Sequence, residues 1–175
     1  MRVHWLQHVA FETLGCIAPA LAGGGHALTR TRLYAGETLP AIDGFDALIV
    51  MGGPMNVHEH DAYPWLVAEK AFIRAAIDAG KRVLGICLGA QLVADVLDAP
   101  VTRNAFQEIG WFDVQLNDDG RRSPLFTGFP ARFCAFHWHG DCFAAPPGAR
   151  NLIGSEACEH QAFALHAASG AAVAA

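Results

Sequence analysis

The stretch Val83-Leu84-Gly85-Ile86-Cys87-Leu88-Gly89-Ala90-Gln91-Leu92-Val93-Ala94 constrains this chain more than any other. An apolar run of strand type leads into Cys87 and a helical pattern leaves it, with Gly85 and Gly89 two residues to either side. That is the Gly-x-nucleophile-x-Gly spacing of a sharp strand-to-helix turn, with Cys in the nucleophile position. Side chains at the two flanking positions would crowd the approaching strand and helix, so glycine is required there. The helix N-terminus turns free N–H groups and a positive dipole end toward the sulfur, which favours a thiolate and a developing oxyanion. A cysteine at the end of a core strand is otherwise most often a buried structural residue. The paired glycines and the switch of periodicity weigh against that reading here.

The order of elements around this turn predicts an α/β domain. Arg2–Leu6 and His26–Tyr34 read as strands, with Glu12–Ala22 as a helix between them. Phe45–Met51 is a continuous apolar run of the kind buried on both faces of a sheet, and it ends in Gly52-Gly53-Pro54. Pro64–Ala79 carries a helical apolar stripe of Trp65, Leu66, Ala68, Phe72, Ile73, Ala76 and Ile77. The alternation implies a doubly wound, mostly parallel sheet with helices on both faces, whose site lies at the carboxyl ends of the strands. Gly52-Gly53 and Cys87 both fall at such ends. After Val101 the pattern changes to short strand-like pieces, Trp111–Leu116, Arg132–Trp138 and Asn151–Ser155, expected as additional C-terminal strands, some antiparallel.

Composition excludes several classes. With 12 Lys+Arg against 17 Asp+Glu the chain is acidic and has no basic run, which argues against a nucleic-acid surface. Cys16, Cys87, Cys134, Cys142 and Cys158 form an odd set without a C-x-x-C pair, so a disulfide framework is not expected and a reducing cytoplasm is. No apolar segment is long enough to span a bilayer.

Taken together, Met51-Gly52-Gly53-Pro54-Met55, Gly85-Ile86-Cys87-Leu88-Gly89-Ala90-Gln91, Glu108-Ile109-Gly110-Trp111, His137-Trp138-His139-Gly140-Asp141 and Gln161-Ala162-Phe163 resemble the class I glutamine amidotransferases. Stand-alone members similar to the glutaminase domain of GMP synthase match best. The resemblance runs over residues 1–165 and implies a flavodoxin-like fold of that family. It implies hydrolysis of the glutamine side-chain amide through a cysteine thioester, with release of ammonia. Cys87 would be the nucleophile, the backbone N–H groups of Gly53 and Leu88 the oxyanion hole, and Gln91, one helical turn past Cys87, a substrate-binding residue. No cofactor is implied. The partners are glutamine or a γ-glutamyl compound, or a synthase subunit that accepts the ammonia.

The family places its catalytic His and Glu in a Gln-Phe-His-x-Glu-like segment after the position of Gln161-Ala162-Phe163. Residues 166–175 read His-Ala-Ala-Ser-Gly-Ala-Ala-Val-Ala-Ala instead, and no acidic residue follows Glu159. This Ala-rich tail is expected to lie outside the domain, as the mark of a truncated or frame-shifted chain. Turnover would then depend on a substitute base, with His139 and His166 as the candidates. A γ-glutamyl hydrolase or peptidase, and a non-catalytic glutamine-binding module, are the alternatives. The His137-x-His139-x-Asp141 pattern also imitates metal-ligand spacing. Cys142 stands where a further His would be needed, so no metal is expected, and the His58-x-His60 pair is expected to be solvated.

Overall fold

The computed structural model describes residues 1–166, 168–170 and 172–175. The strands are β1 (Arg2–Gln7), β2 (Ala27–Arg32), β3 (Ala47–Val50), β4 (Arg82–Gly85), β5 (Val101–Leu116), β6 (Arg132–Phe143), β7 (Arg150–Ser155), β8 (Ala162–His166) and β9 (Ala172–Ala174). They form one sheet in the order β2-β1-β3-β4-β9-β8-β7-β5-β6. Pairing is parallel from β2 through β9 and antiparallel from there on. The helices are α1 (Ile17–Gly23), α2 (Trp65–Asp78), α3 (Leu88–Val96) and the short α4 (Asp118–Arg122).

The two-residue period of the parallel strands sorts their side chains between two cores. Val3 and Trp5 of β1 join Ala47 and Ile49 of β3 against Ile17, Ala18 and Leu21 of α1. Leu6, Leu48 and Val50 face the other way, onto Leu66, Phe72 and Ile73 of α2 and Leu92 and Val93 of α3. Helices therefore cover both faces of the parallel half, as expected for a doubly wound sheet.

Several elements differ from the sequence expectation; β6, for one, runs past Trp138 to Phe143. α1 begins at Ile17 rather than at Glu12, because Gly15 turns the chain with φ +50° and leaves Glu12 on the loop after β1. β5 is far longer than Trp111–Leu116; its first half is largely exposed and lacks an apolar alternation to read. The Ala-rich stretch, expected outside the domain, holds the end of β8 and all of β9. Its one large apolar residue, Val173, is buried in register between Val83 of β4 and Leu165 of β8. Among the described residues no helix is long and apolar enough to cross a membrane.

Candidate active site

Register builds the site. Leu6 pairs with Val50, and Val50 with Gly85, across β1, β3 and β4. Two residues beyond this row the chain places His8, Gly52 and Cys87 at one edge of the sheet, which is where open α/β sheets carry their ligands.

Cys87 has φ 55° and ψ −113°, a backbone conformation that costs a non-glycine residue on the order of 1–3 kcal/mol and persists only where the surroundings impose it. The flanking glycines impose it. A Cβ on Gly89 would stand 2.0 Å from the Val50 carbonyl oxygen, and one on Gly85 would stand 2.6 Å from the Gly89 carbonyl oxygen. Strand and helix therefore meet backbone to backbone, and the cysteine is forced outward between them.

The sulfur is open to solvent on one side and walled on the others. Burial by those walls, reinforced by the Glu12 carboxylate, pushes the thiol above its ordinary value; the Leu88 and Gly53 N–H groups, turned toward the sulfur, oppose that rise. Sγ donates to the Trp138 carbonyl oxygen at 3.8 Å. Among the described residues no imidazole hydrogen-bonds it. A cavity of about 390 Å³ opens beside Cys87, lined by Gln91, His137, His139, Asp141 and Gln161 among others. A larger concavity, of about 1270 Å³, lies over β5 and β7 and does not reach Cys87.

Gln91 is buried, and its Nε2 donates to the Asp141 carbonyl oxygen at 3.2 Å. This bond ties α3 to the end of β6. The wall beyond is a polar network centred on buried Glu108, which accepts from Ser155 Oγ at 2.6 Å and from Gln161 Nε2 at 2.6 Å. His137 Nδ1 and His139 Nε2 lie 3.3 Å and 3.1 Å from its two oxygens. The His139 contact lacks hydrogen-bond alignment, so Nε2 is near the carboxylate without being bonded to it. Burial lowers the pKa of His137, and His139 adds to this, against the pull of Glu108.

These three residues bring donor atoms within 4.8 Å of one another, a spacing that a metal ion could use. Both Glu108 oxygens are already engaged by Ser155 and Gln161, however, and Asp141 turns its carboxylate to Asn56 instead. The His-x-His-x-Asp pattern is thus not one ligand set. His137 and His139 do share a strand face, but the carboxylate between them comes from β5.

Sequence reasoning missed the groups beneath the Gly52-Gly53 loop. His8 and Glu69 are both fully buried and joined Nε2 to Oε1 at 2.7 Å, while His8 Nδ1 donates to the Gly52 carbonyl oxygen at 2.8 Å. Glu12 also reaches this loop: a Cβ on Gly52 would stand 2.6 Å from its Oε2. Two signals were available. His8 follows the carboxyl end of β1, and Glu69 falls between Leu66 and Ile73 at helical spacing, a carboxylate inside an apolar stripe.

With this geometry in hand, comparison with known proteins decides the lineage. The profile of the family "Glutamine amidotransferase class-I" matches residues 26–170. The chain belongs to that family. A glutamine amidotransferase-like protein of Salmonella typhimurium, YfeJ, is 37% identical over 165 residues, covering 92% of this chain and 69% of its own. A solved glutamine amidotransferase from Thermotoga maritima superposes with a TM-score of 0.88 at 32% identity, over 98% of this chain and 73% of that one. The glutamine-hydrolysing GMP synthase of Aeropyrum pernix is 35% identical over 120 residues, 67% of this chain. This chain spans only 20% of that synthase.

Proposed function

We propose that the cleft at Cys87 receives the side-chain carboxamide of glutamine and cleaves it through a thioester. The observation that carries the reading is the outward-forced Cys87 with the N–H groups of Leu88 and Gly53 turned to its sulfur. In the step we assign, the deprotonated sulfur attacks the δ-carbonyl carbon. A C–S bond forms, and the carbonyl π pair moves to oxygen, where the two N–H groups receive it. Collapse of the tetrahedral intermediate breaks the C–N bond as the nitrogen takes up the proton the thiol gave up, and ammonia leaves. Water then hydrolyses the thioester to glutamate and returns the thiol. Gln91 supports the wall through Asp141.

A second reading is a glutamine-binding module without turnover. It is favoured by the raised thiol and by the absence, among the described residues, of an imidazole bonded to Sγ, since such a base ordinarily activates the sulfur and protonates the leaving group. Mass spectrometry after exposure to the glutamine-like electrophile diazo-oxo-norleucine, beside an ammonia-release assay, separates the two. Adduct at Cys87 with ammonia release supports the amidase, and adduct without release supports the binding module. The absence of any adduct would refute both.

A further inference from the structure

The Gly52–Gly53 linkage is an ordinary trans peptide, so the Gly52 carbonyl and the Gly53 N–H belong to one rigid plane and point in opposite directions. Whatever holds the carbonyl therefore aims the N–H. The carbonyl is held by His8, through the 2.8 Å bond from Nδ1, and His8 is held in turn by Glu69 at 2.7 Å. Both side chains are wholly shielded from water, and the imidazole is also stacked on Trp65 with centroids 5.5 Å apart. Nothing in this arrangement touches the cavity beside Cys87. A buried carboxylate and imidazole are costly to retain unless they are paired and hydrogen-bonded, and an apolar pair of like volume is commonly no less stable.

We propose that His8 and Glu69 are a positioning pair, which clamps the Gly52 carbonyl so that the Gly53 N–H faces the reacting carbonyl oxygen at Cys87. This rests on the reading above, in which the Gly53 N–H helps to receive the oxyanion. A carbonyl oxygen can only accept, so Nδ1 carries a proton and donates it to Gly52. The Glu69 contact at 2.7 Å holds the ring in the plane this bond needs. Burial alone would lower the pKa of His8, but Glu69, the Gly52 carbonyl and nearby Glu12 together raise it, which strengthens the ring as a donor. A donor on the carbonyl side polarises the peptide and strengthens its N–H as a donor in turn. Space around the loop is tight as well. A Cβ on Gly53 would stand 3.0 Å from His8 Cβ and 3.1 Å from Leu88 Cδ2, so the loop is threaded between β1 and α3.

The test compares two double variants that both remove the buried carboxylate. H8L/E69L has no donor for Gly52, whereas H8N/E69L places an amide N–H close to the former Nδ1 position. Two labelling rates at Cys87 are read by mass spectrometry. Diazo-oxo-norleucine places a ketone oxygen in the oxyanion hole; methyl methanethiosulfonate transfers a methylthio group to the sulfur with loss of methanesulfinate and uses no such hole. In H8L/E69L the first rate should fall by about 10²-fold, near the low end of the cost of losing one oxyanion donor. The second rate and the thermal midpoint should stay near wild type, and H8N/E69L should recover most of the first rate. An unchanged ratio of the two rates in H8L/E69L, or a parallel loss of both, overturns the positioning role alone. Failure of the wild type to take the glutamine analogue at all overturns the oxyanion reading, and this inference with it.

Discussion

Gly89→Ala offers the most direct physical test of the turn at Cys87. The added methyl carbon would stand 2.0 Å from the Val50 carbonyl oxygen, 2.6 Å from the Val50 carbonyl carbon and 3.0 Å from the Met51 oxygen. All three are backbone atoms. The Val50 oxygen is already fixed by the Ile86 N–H at 2.9 Å, so it cannot swing aside as a side chain would. Ordinary contact near 3.4 Å calls for a retreat of about 1.4 Å by α3 or β3. Overpacking of a tight interior typically costs about 1–3 kcal/mol, and a clash with backbone belongs at the upper end. Against this, alanine gains about 1 kcal/mol over glycine within a helix. The net loss is about 2 kcal/mol, which for a domain of this size lowers the thermal midpoint by about 4–8 °C. Gly23→Ala is the control, because a Cβ there meets nothing within 4 Å; it should be neutral or slightly stabilising. Calorimetry or thermal circular dichroism reads both variants. If Gly89→Ala melts at or above the wild-type midpoint, close backbone packing is not what shapes the turn.

Two further outcomes follow from the charged groups around β1 and the turn. The rate of Cys87 alkylation by iodoacetamide should rise with pH to a midpoint above the ordinary thiol value of 9.0, and Glu12→Gln should lower that midpoint by removing the nearby anion; a wild-type midpoint below 9.0 would contradict the electrostatics described. His4 and His8, on and just after the same strand, should shape the urea midpoint in opposite senses. Burial between Thr29 and Thr31 pushes His4 down to about 4, so its contribution is complete above pH 6.5 and is lost as pH falls from there toward 4. His8 is raised, so its contribution is complete below 6.5 and is lost as pH climbs through the folded value. His4→Gln should flatten the acid limb and Glu69→Gln the alkaline limb; an unaltered profile in either variant would refute the corresponding assignment.

The parts of the molecule legible in sequence are those whose neighbours are close in sequence. The Gly85-x-Cys87-x-Gly89 turn, the α2 stripe and the fully buried β3 each carry a local pattern strong enough to specify them. Glu12 was misread as helical because the residues after it look like helix formers, and the turn at Gly15 outweighs that propensity. β9 was missed for a different reason. An Ala-Val-Ala segment has little strand preference of its own, and its conformation comes from being placed between two strands already formed. Gln91 reads from sequence as a substrate-binding residue, but its bond to the Asp141 carbonyl is legible only once the end of β6 is in place.

The site itself depends on one non-local quantity, the register of β1, β3 and β4. With Leu6, Val50 and Gly85 in one row, the residues two positions on come together as imidazole, bare carbonyl and thiol. A slip of one residue in β1 would reverse its faces: Leu6 would leave the core of α2 and α3, and His8 would point away from Glu69. The hydrophobic alternation of β1 therefore fixes more than packing. The same side-chain period that buries Leu6 against α2 and α3 also carries His8 under the Gly52 carbonyl, and the planarity of one peptide passes that constraint to the N–H beside Cys87. Sequence shows each of these residues singly; only the paired strands show that His8, Gly52 and Cys87 meet at one end of the sheet.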